Sequence, residues 1–256
     1  MKKVLVFLMM AVMACSMLVA GCGGGEKKAE DTAKVLRVGT EPAFAPFEFP
    51  KENSNELTGF DIELVQALGK QAGYKVEISG MGFDALIPAL NAGNIDVAIA
   101  GMTITDERKK VVTFSDPYYT SGLIIMVKKD NNTVKNIADL KGKRIAAQIG
   151  TTGEMKARAV EGATVTTFNT QDEAALELKN GGVDAIIGDA PVVEYYLAKG
   201  GSEFAMVVGE KMEAEQYGMA FKKDSKLAGE LNKALDELKK NGEFEKLNAK
   251  WFGTEK

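Results

Sequence analysis

The segment Asn91-Ala-Gly-Asn-Ile-Asp-Val-Ala-Ile-Ala-Gly101 returns later in the chain as Asn180-Gly-Gly-Val-Asp-Ala-Ile-Ile-Gly-Asp189. With Asp96 set on Asp184, each copy is a polar, glycine-bearing turn, a β-branched residue, an acid and a short apolar strand. The residues before each copy extend the repeat to a whole module. The first predicts strand (35–40), helix (61–72), strand (75–79), helix (83–91) and strand (95–100). The second predicts strand (144–149), helix (153–160), strand (163–168), helix (172–179) and strand (183–187). Two βαβαβ units define two α/β lobes with open sheets. Ligands of such sheets bind beyond the carboxyl ends of the strands. Gly101 and Asp189 end equivalent strands, so lobes that face each other would bring both to one cleft around a small molecule.

The N-terminus reads as a targeting segment. Lys2 and Lys3 precede an almost wholly apolar run, 4–19, which closes on Leu18-Val-Ala-Gly-Cys22. That ending resembles the lipobox of bacterial lipoproteins, in which cleavage after residue 21 leaves Cys22 as the lipidated first residue. Residues 23–34 then form a flexible, unstructured tether. Of the two cysteines, only Cys22 survives cleavage, which excludes an intramolecular disulfide. No other stretch approaches the roughly 20 apolar residues of a membrane span. The expected product is an extracytoplasmic, monomeric protein held to the membrane by lipid alone.

Composition excludes several chemistries. The formal charge is −4 and no basic patch is present, which argues against nucleic acid as a partner. There is no histidine, hence no Ser-His-Asp or Cys-His catalysis and none of the commonest zinc ligand. The carboxylates form no metal-loop spacing. No cofactor and no metal are expected.

Candidate ligand groups come from the loops after the strands. Glu41-Pro-Ala-Phe44-Ala-Pro-Phe47-Glu-Phe49 places three phenylalanines between prolines. Phe47 and Phe49 are expected in the core and Phe44 beside the ligand, with Glu41 accepting from a polar or cationic end or simply exposed. After the third strand, Thr105 reads as an N-cap followed by Asp106 and Glu107. Arg108 then falls in the first helical turn near the strand end, where a guanidinium can take a carboxylate bidentately beside the Gly101 and Thr103 amides. The alternative is a solvated helix face shared with Lys109 and Lys110. Phe83 opens a helix with apolar Leu86, Ile87 and Leu90, as a second aromatic wall or as core. In the second lobe, Thr151 and Glu154 fit a capping box whose helix start suits an anion. Asp189 either faces an ammonium group or caps the helix begun by Pro191.

At these residues the chain resembles the polar amino-acid-binding proteins of bacterial ABC importers, among them glutamine-, arginine- and histidine-binding members. The similarity runs from residue 35 to 253. It rests on Ala43-Phe-Ala-Pro-Phe-Glu-Phe49, Gly59-Phe-Asp61, Ile87-Pro-Ala-Leu90, Gly101-Met-Thr-Ile-Thr-Asp-Glu-Arg108, Phe114-Ser-Asp-Pro-Tyr-Tyr119, Asp139-Leu-Lys-Gly-Lys143, Gly150-Thr-Thr152 and Lys250-Trp-Phe-Gly253. The resemblance implies a type II periplasmic-binding-protein fold with two crossovers, near 118–122 and 213–218. Residues 35–119 and 218–253 would form lobe one, 120–217 lobe two, and 254–256 a tail.

It further implies that Arg108 holds the α-carboxylate of a free L-amino acid, helped by the Thr103 and Thr152 backbones. Asp189 and the Ala100–Gly101 strand end would take the α-ammonium. Phe44 and Phe83 would sandwich the side chain, and Glu41 with Gln148 would meet its tip. Glutamine binders of the family carry a lysine at the position of Gln148 and a histidine at that of Gly188. Their absence, with Glu41 present, points to arginine or lysine, then glutamine; an acidic ligand would leave Glu41 unpaired. Membrane permease subunits are the implied partners. A dehydratase-like enzyme on the same scaffold and an amino-acid sensor subunit are the alternatives.

Overall fold

The computed structural model describes residues 34–253. The expected targeting segment and Cys22, the expected tether up to residue 33 and the tail 254–256 lie outside the described residues, while Lys34, expected in the tether, opens the first strand. The first lobe begins with β1 (Lys34–Thr40), β2 (Phe49–Pro50), β3 (Leu57–Thr58), α1 (Phe60–Ala72), β4 (Tyr74–Gly80), α2 (Phe83–Ala92), β5 (Val97–Ala98), α3 (Asp106–Lys109) and β6 (Val112–Phe114). From there β7 (Tyr119–Lys128) leads into β8 (Arg144–Gln148), α4 (Thr152–Arg158), β9 (Thr164–Phe168), α5 (Gln171–Asn180), β10 (Ala185–Asp189), α6 (Ala190–Ala198) and β11 (Ala205–Val208). The chain then passes through β12 (Ala214–Tyr217) to β13 (Ala220–Lys222), α7 (Leu227–Lys240) and α8 (Glu243–Phe252).

The two sheets repeat one plan. In the first, β4, β1 and β5 are parallel, and β13 returns antiparallel to β5 with β6 beyond it. In the second, β9, β8 and β10 are parallel, and β7 runs antiparallel to β10 with β11 beyond it. β12 pairs with the first half of β7, from Tyr119 opposite Tyr217 to Gly122 opposite Ala214, which makes a two-strand hinge. The third strand of the first module is shorter than the apolar run suggested, with ladder pairing only at Val97–Ala98.

The acid of the repeated segment pins each sheet at the edge away from the strand carboxyl ends. Asp96 accepts from the Arg37 backbone N–H and Nε on one oxygen and from its Nη2 on the other. Asp184 repeats this arrangement with Arg144. The arginine contacts hold both carboxyls below the usual aspartate range. Beside each acid, Gly93 and Gly181 end α2 and α5 in the left-handed conformation (φ 76° and 79°), where glycine carries no Cβ penalty.

Phe47 is wholly buried and meets the rings of Phe60, Tyr119, Tyr217 and Phe252 at centroid distances of 5.0–6.3 Å. It therefore joins α1, both hinge strands and α8. Phe47→Ala is expected to lower the unfolding free energy by roughly 3–5 kcal/mol, read from urea denaturation; a loss below about 1 kcal/mol would contradict that packing. Phe49 departs from the expected core position. It is half-buried and packs on Trp251 of α8 and on Tyr195 of α6, so it bridges the lobes. The proline after it and the short β2–β3 hairpin hold it at the lobe surface.

Candidate binding cleft

Arg108 is held where the first sheet ends. Thr105 caps α3 by accepting from the Arg108 N–H, and Asp106 and Glu107 fill the first turn, favourable against the helix dipole. Arg108 is 6% exposed, and its guanidinium donates to Thr103 O at 2.7 Å and crosses to Gly150 O of the second lobe at 2.9 Å. Its carbon lies 5.3 Å from the Phe83 ring centroid. Burial lowers its pKa, against the attraction of Asp189 and Glu215. Arg108 thus differs sharply from its exposed neighbours Lys109 and Lys110, each paired with an acid on its own turn.

Asp189 ends β10, buried. Its side chain does not cap α6; it accepts from the hydroxyl of Tyr217 on the hinge. Desolvation raises its pKa to about 7, opposed by the Tyr217 hydrogen bond and Arg108. Ala100 and Gly101 at the other strand end are also buried. Gly101 has φ +52°, and a Cβ there would sit 2.5 Å from the Phe44 ring, so the residue lets the aromatic loop close on the strand end. Phe44 (6% exposed) and Phe83 (8%) belong to separate buried clusters of the first lobe.

The second lobe contributes the loop between β8 and α4. Thr151 caps α4 by accepting from Glu154 N–H, but the reciprocal half of the expected capping box is displaced. Glu154 accepts from Gly150 N–H at 2.6 Å, because Gly150, at φ +76°, turns its own amide toward that carboxylate. Thr151 also donates to Gln148 O. Gln148 donates through Nε2 to Asn169 O and faces Glu41 of the first lobe. Glu41 is 3% exposed, its Oε2 has no hydrogen-bond partner, and burial raises its pKa to about 7. Next to it a cavity of about 800 Å³ opens between Pro42–Pro50 and the α5–α6 region, lined by Phe49, Asp172, Tyr195, Tyr196 and Phe204. Arg108 and Asp189 are not part of that lining.

Four further groups were not marked as site residues in the sequence. Asp61, on the first turn of α1, accepts from Gly101 N–H at 2.9 Å and from the Tyr118 hydroxyl at 2.7 Å. Fully buried Glu48 faces the Asp61 carboxyl. Desolvation lifts Asp61 to about 6 and Glu48 well above its ordinary value. An acid between Phe47 and Phe49 in an apolar loop was a legible signal for Glu48. Asp61 reads only as a helix-dipole residue. Tyr217 and Glu215 sit on a short hinge strand that no local pattern marks. Glu215 accepts from the hydroxyls of both Thr103 (2.9 Å) and Thr152 (2.7 Å).

Buried Arg108 and buried Asp189 thus stand at the strand ends of two different α/β lobes, the architecture of a two-lobed binding protein. The chain belongs to the bacterial extracellular solute-binding proteins, family 3, whose model matches residues 36–254. That membership makes it an extracytoplasmic solute-binding protein. It is 40% identical, over the full length of both chains, to the arginine-binding extracellular protein ArtP of Bacillus subtilis (strain 168). Among solved structures, an ancestral arginine-binding protein bound to arginine superposes with a TM-score of 0.82 at 48% identity, covering 86% of this chain and 98% of that one. An ancestral arginine-binding protein bound to glutamine superposes with a TM-score of 0.80 at 48% identity, covering 86% of this chain and 98% of that one. An ancestral amino acid-binding protein described as a precursor of cyclohexadienyl dehydratase matches at TM-score 0.79 and 43% identity, over 85% of this chain and 95% of that one.

Proposed function

We propose that this protein captures a free basic L-amino acid, arginine or lysine, for an ABC importer, and that the lobes close on it by hinge motion. In this reading the lobes are 35–119 with 218–253, and 120–217. The ligand carboxylate lies on Arg108 with the Thr103 and Thr152 backbones and the start of α4 beyond Thr151. The ammonium lies between Asp189 and the Ala100–Gly101 strand end, the side chain between Phe44 and Phe83. The observation that carries the choice of ligand is Glu41, a buried acid with an unpartnered oxygen beside Gln148, whose own Oε1 also lacks a partner. Two acceptors without donors suit a cationic or multiply donating tip and are costly opposite a carboxylate. Lipidation at Cys22 would tether the monomer near its permease.

Glutamine is the second reading, supported by the ancestral protein solved with that ligand. A thermal-shift panel of the twenty amino acids, on protein refolded after partial unfolding to strip bound ligand, separates these readings. A tight ligand at 100 times its Kd adds roughly 2.7 kcal/mol. Arginine and lysine are expected to raise the melting temperature most. A rise with glutamine alone would overturn the ligand and leave the binder; no rise at all would overturn amino-acid binding. Mass analysis of the released ligand distinguishes a binder, which returns it unchanged, from a dehydratase.

A further inference from the structure

Glu215 lies on β12, the strand by which the chain returns to the first lobe. One of its carboxylate oxygens, Oε2, accepts two hydroxyl hydrogen bonds, from Thr103 at 2.9 Å and from Thr152 at 2.7 Å. Hydroxyl-to-carboxylate bonds are among the stronger side-chain contacts. The two threonines come from opposite sides of the cleft. Thr103 follows β5 and is stitched to the hinge strand through its bridge with Tyr217 and through Ile104 N–H on Gln216 O at 2.8 Å. Glu215 and Thr103 are therefore tied to one another through the backbone. Thr152, the first residue of α4, shares no such ladder with β12.

The same β8–α4 loop is gripped a second time, by Arg108 on Gly150 O. The two grips are also close electrostatically, since the Glu215 carboxylate attracts the buried Arg108 guanidinium. Arg108 of the first lobe and Glu215 of the hinge strand, which also holds Thr103, thus grip the second-lobe loop 150–152 at two points.

We propose that Glu215 is a positioning residue that latches the closed cleft, gathering Thr103 and Thr152 onto one carboxylate so that the start of α4 stays against Arg108. This rests on the proposed reading that the lobes close around an amino acid. The latch acts after the ligand has entered, so its loss appears in release and not in capture. It does not touch the ligand side chain, so it strengthens binding of every accepted amino acid equally.

The test uses the full chain and arginine, with stopped-flow association and dissociation alongside equilibrium affinity. Glu215→Ala and Thr152→Val are each expected to weaken binding about tenfold or more, the scale of hydrogen bonds to a charged group. The loss should come through faster dissociation, with association within about twofold. The double variant should be no weaker than Glu215→Ala alone, which already removes the Thr152 contact. Glu215→Gln, whose uncharged amide oxygen still accepts both hydroxyls, should recover part of the affinity that Glu215→Ala loses. Unaltered arginine affinity in Glu215→Ala, or losses that add in the double variant, would overturn the latch while leaving amino-acid binding intact. If the unmodified protein binds none of the twenty amino acids, the functional reading fails and the latch with it.

Discussion

Arg108→Ala is expected to abolish amino-acid binding while leaving a folded protein. Truncating one partner of a buried, hydrogen-bonded charge pair costs about 2–5 kcal/mol or more, which places the affinity beyond the range of a routine titration. Three effects add here. The ligand carboxylate loses a planar, two-pronged donor set that no other described side chain at this strand end replaces. Asp189 and Glu215 lose the positive charge that faces them, and Asp189 already sits at about 7 through burial. The interlobe contact from Nη2 to Gly150 O disappears as well. The fold should survive, because α3 keeps its Thr105 cap and Phe83 keeps its place among Leu86, Leu90 and Met102. Arg108→Lys should recover only part of the affinity, since an ammonium supplies a point charge and no fork. Isothermal calorimetry with arginine, alongside circular dichroism, reads both halves. Binding retained within a few-fold in the alanine variant would remove Arg108 from the carboxylate site.

The architecture was legible because the repeat carries its own evidence: periodicity, an acid and a glycine turn recur in one order. The physical meaning of that echo was less visible. Asp96 and Asp184 served only to align the two copies in the sequence, and the structure pairs each with an arginine at the far edge of its sheet. Arg108 and Asp189 could be singled out by position alone, since strand ends are where open α/β sheets present side chains. Glu215 and Tyr217 could not. Their partners, Thr152 and Asp189, are distant in sequence and meet them only when the hinge strand folds back. Phe49 was misread for a related reason. An aromatic residue in an apolar loop is equally suited to a core and to a contact between lobes, and only the placement of Tyr195 on α6 decides between them.

Arginine binding near pH 6 is expected to release protons, and its affinity should rise with pH up to about 7. Glu41 and Asp189 are both raised to about 7, chiefly by desolvation. In the ligand-free protein near pH 6 each therefore retains a proton much of the time. A cationic tip beside Glu41 and an ammonium beside Asp189 favour the ionised forms, so binding expels those protons and strengthens up to about tenfold per pH unit for each proton released. Ligand-free stability has the opposite sign. A carboxyl raised from 3.8 or 4.5 to about 7 holds a proton in the native state that the unfolded chain has already lost. Stability therefore falls as pH rises between about 4 and 7, by about 1.4 kcal/mol per unit and group at most. Asp61, at about 6, and Glu48, also raised by burial, act in the same direction but are not placed against the ligand. The thermal shift produced by arginine should consequently grow from pH 5 to pH 7. Glutamine, with a neutral tip, engages only the proton of Asp189 and should release fewer than arginine; Glu41→Gln should erase that difference. Calorimetry at pH 6 in two buffers of different ionisation enthalpy counts the protons directly. Equal heats in both buffers, with an affinity flat from pH 5.5 to 8, would show that neither acid meets a positive charge on the ligand.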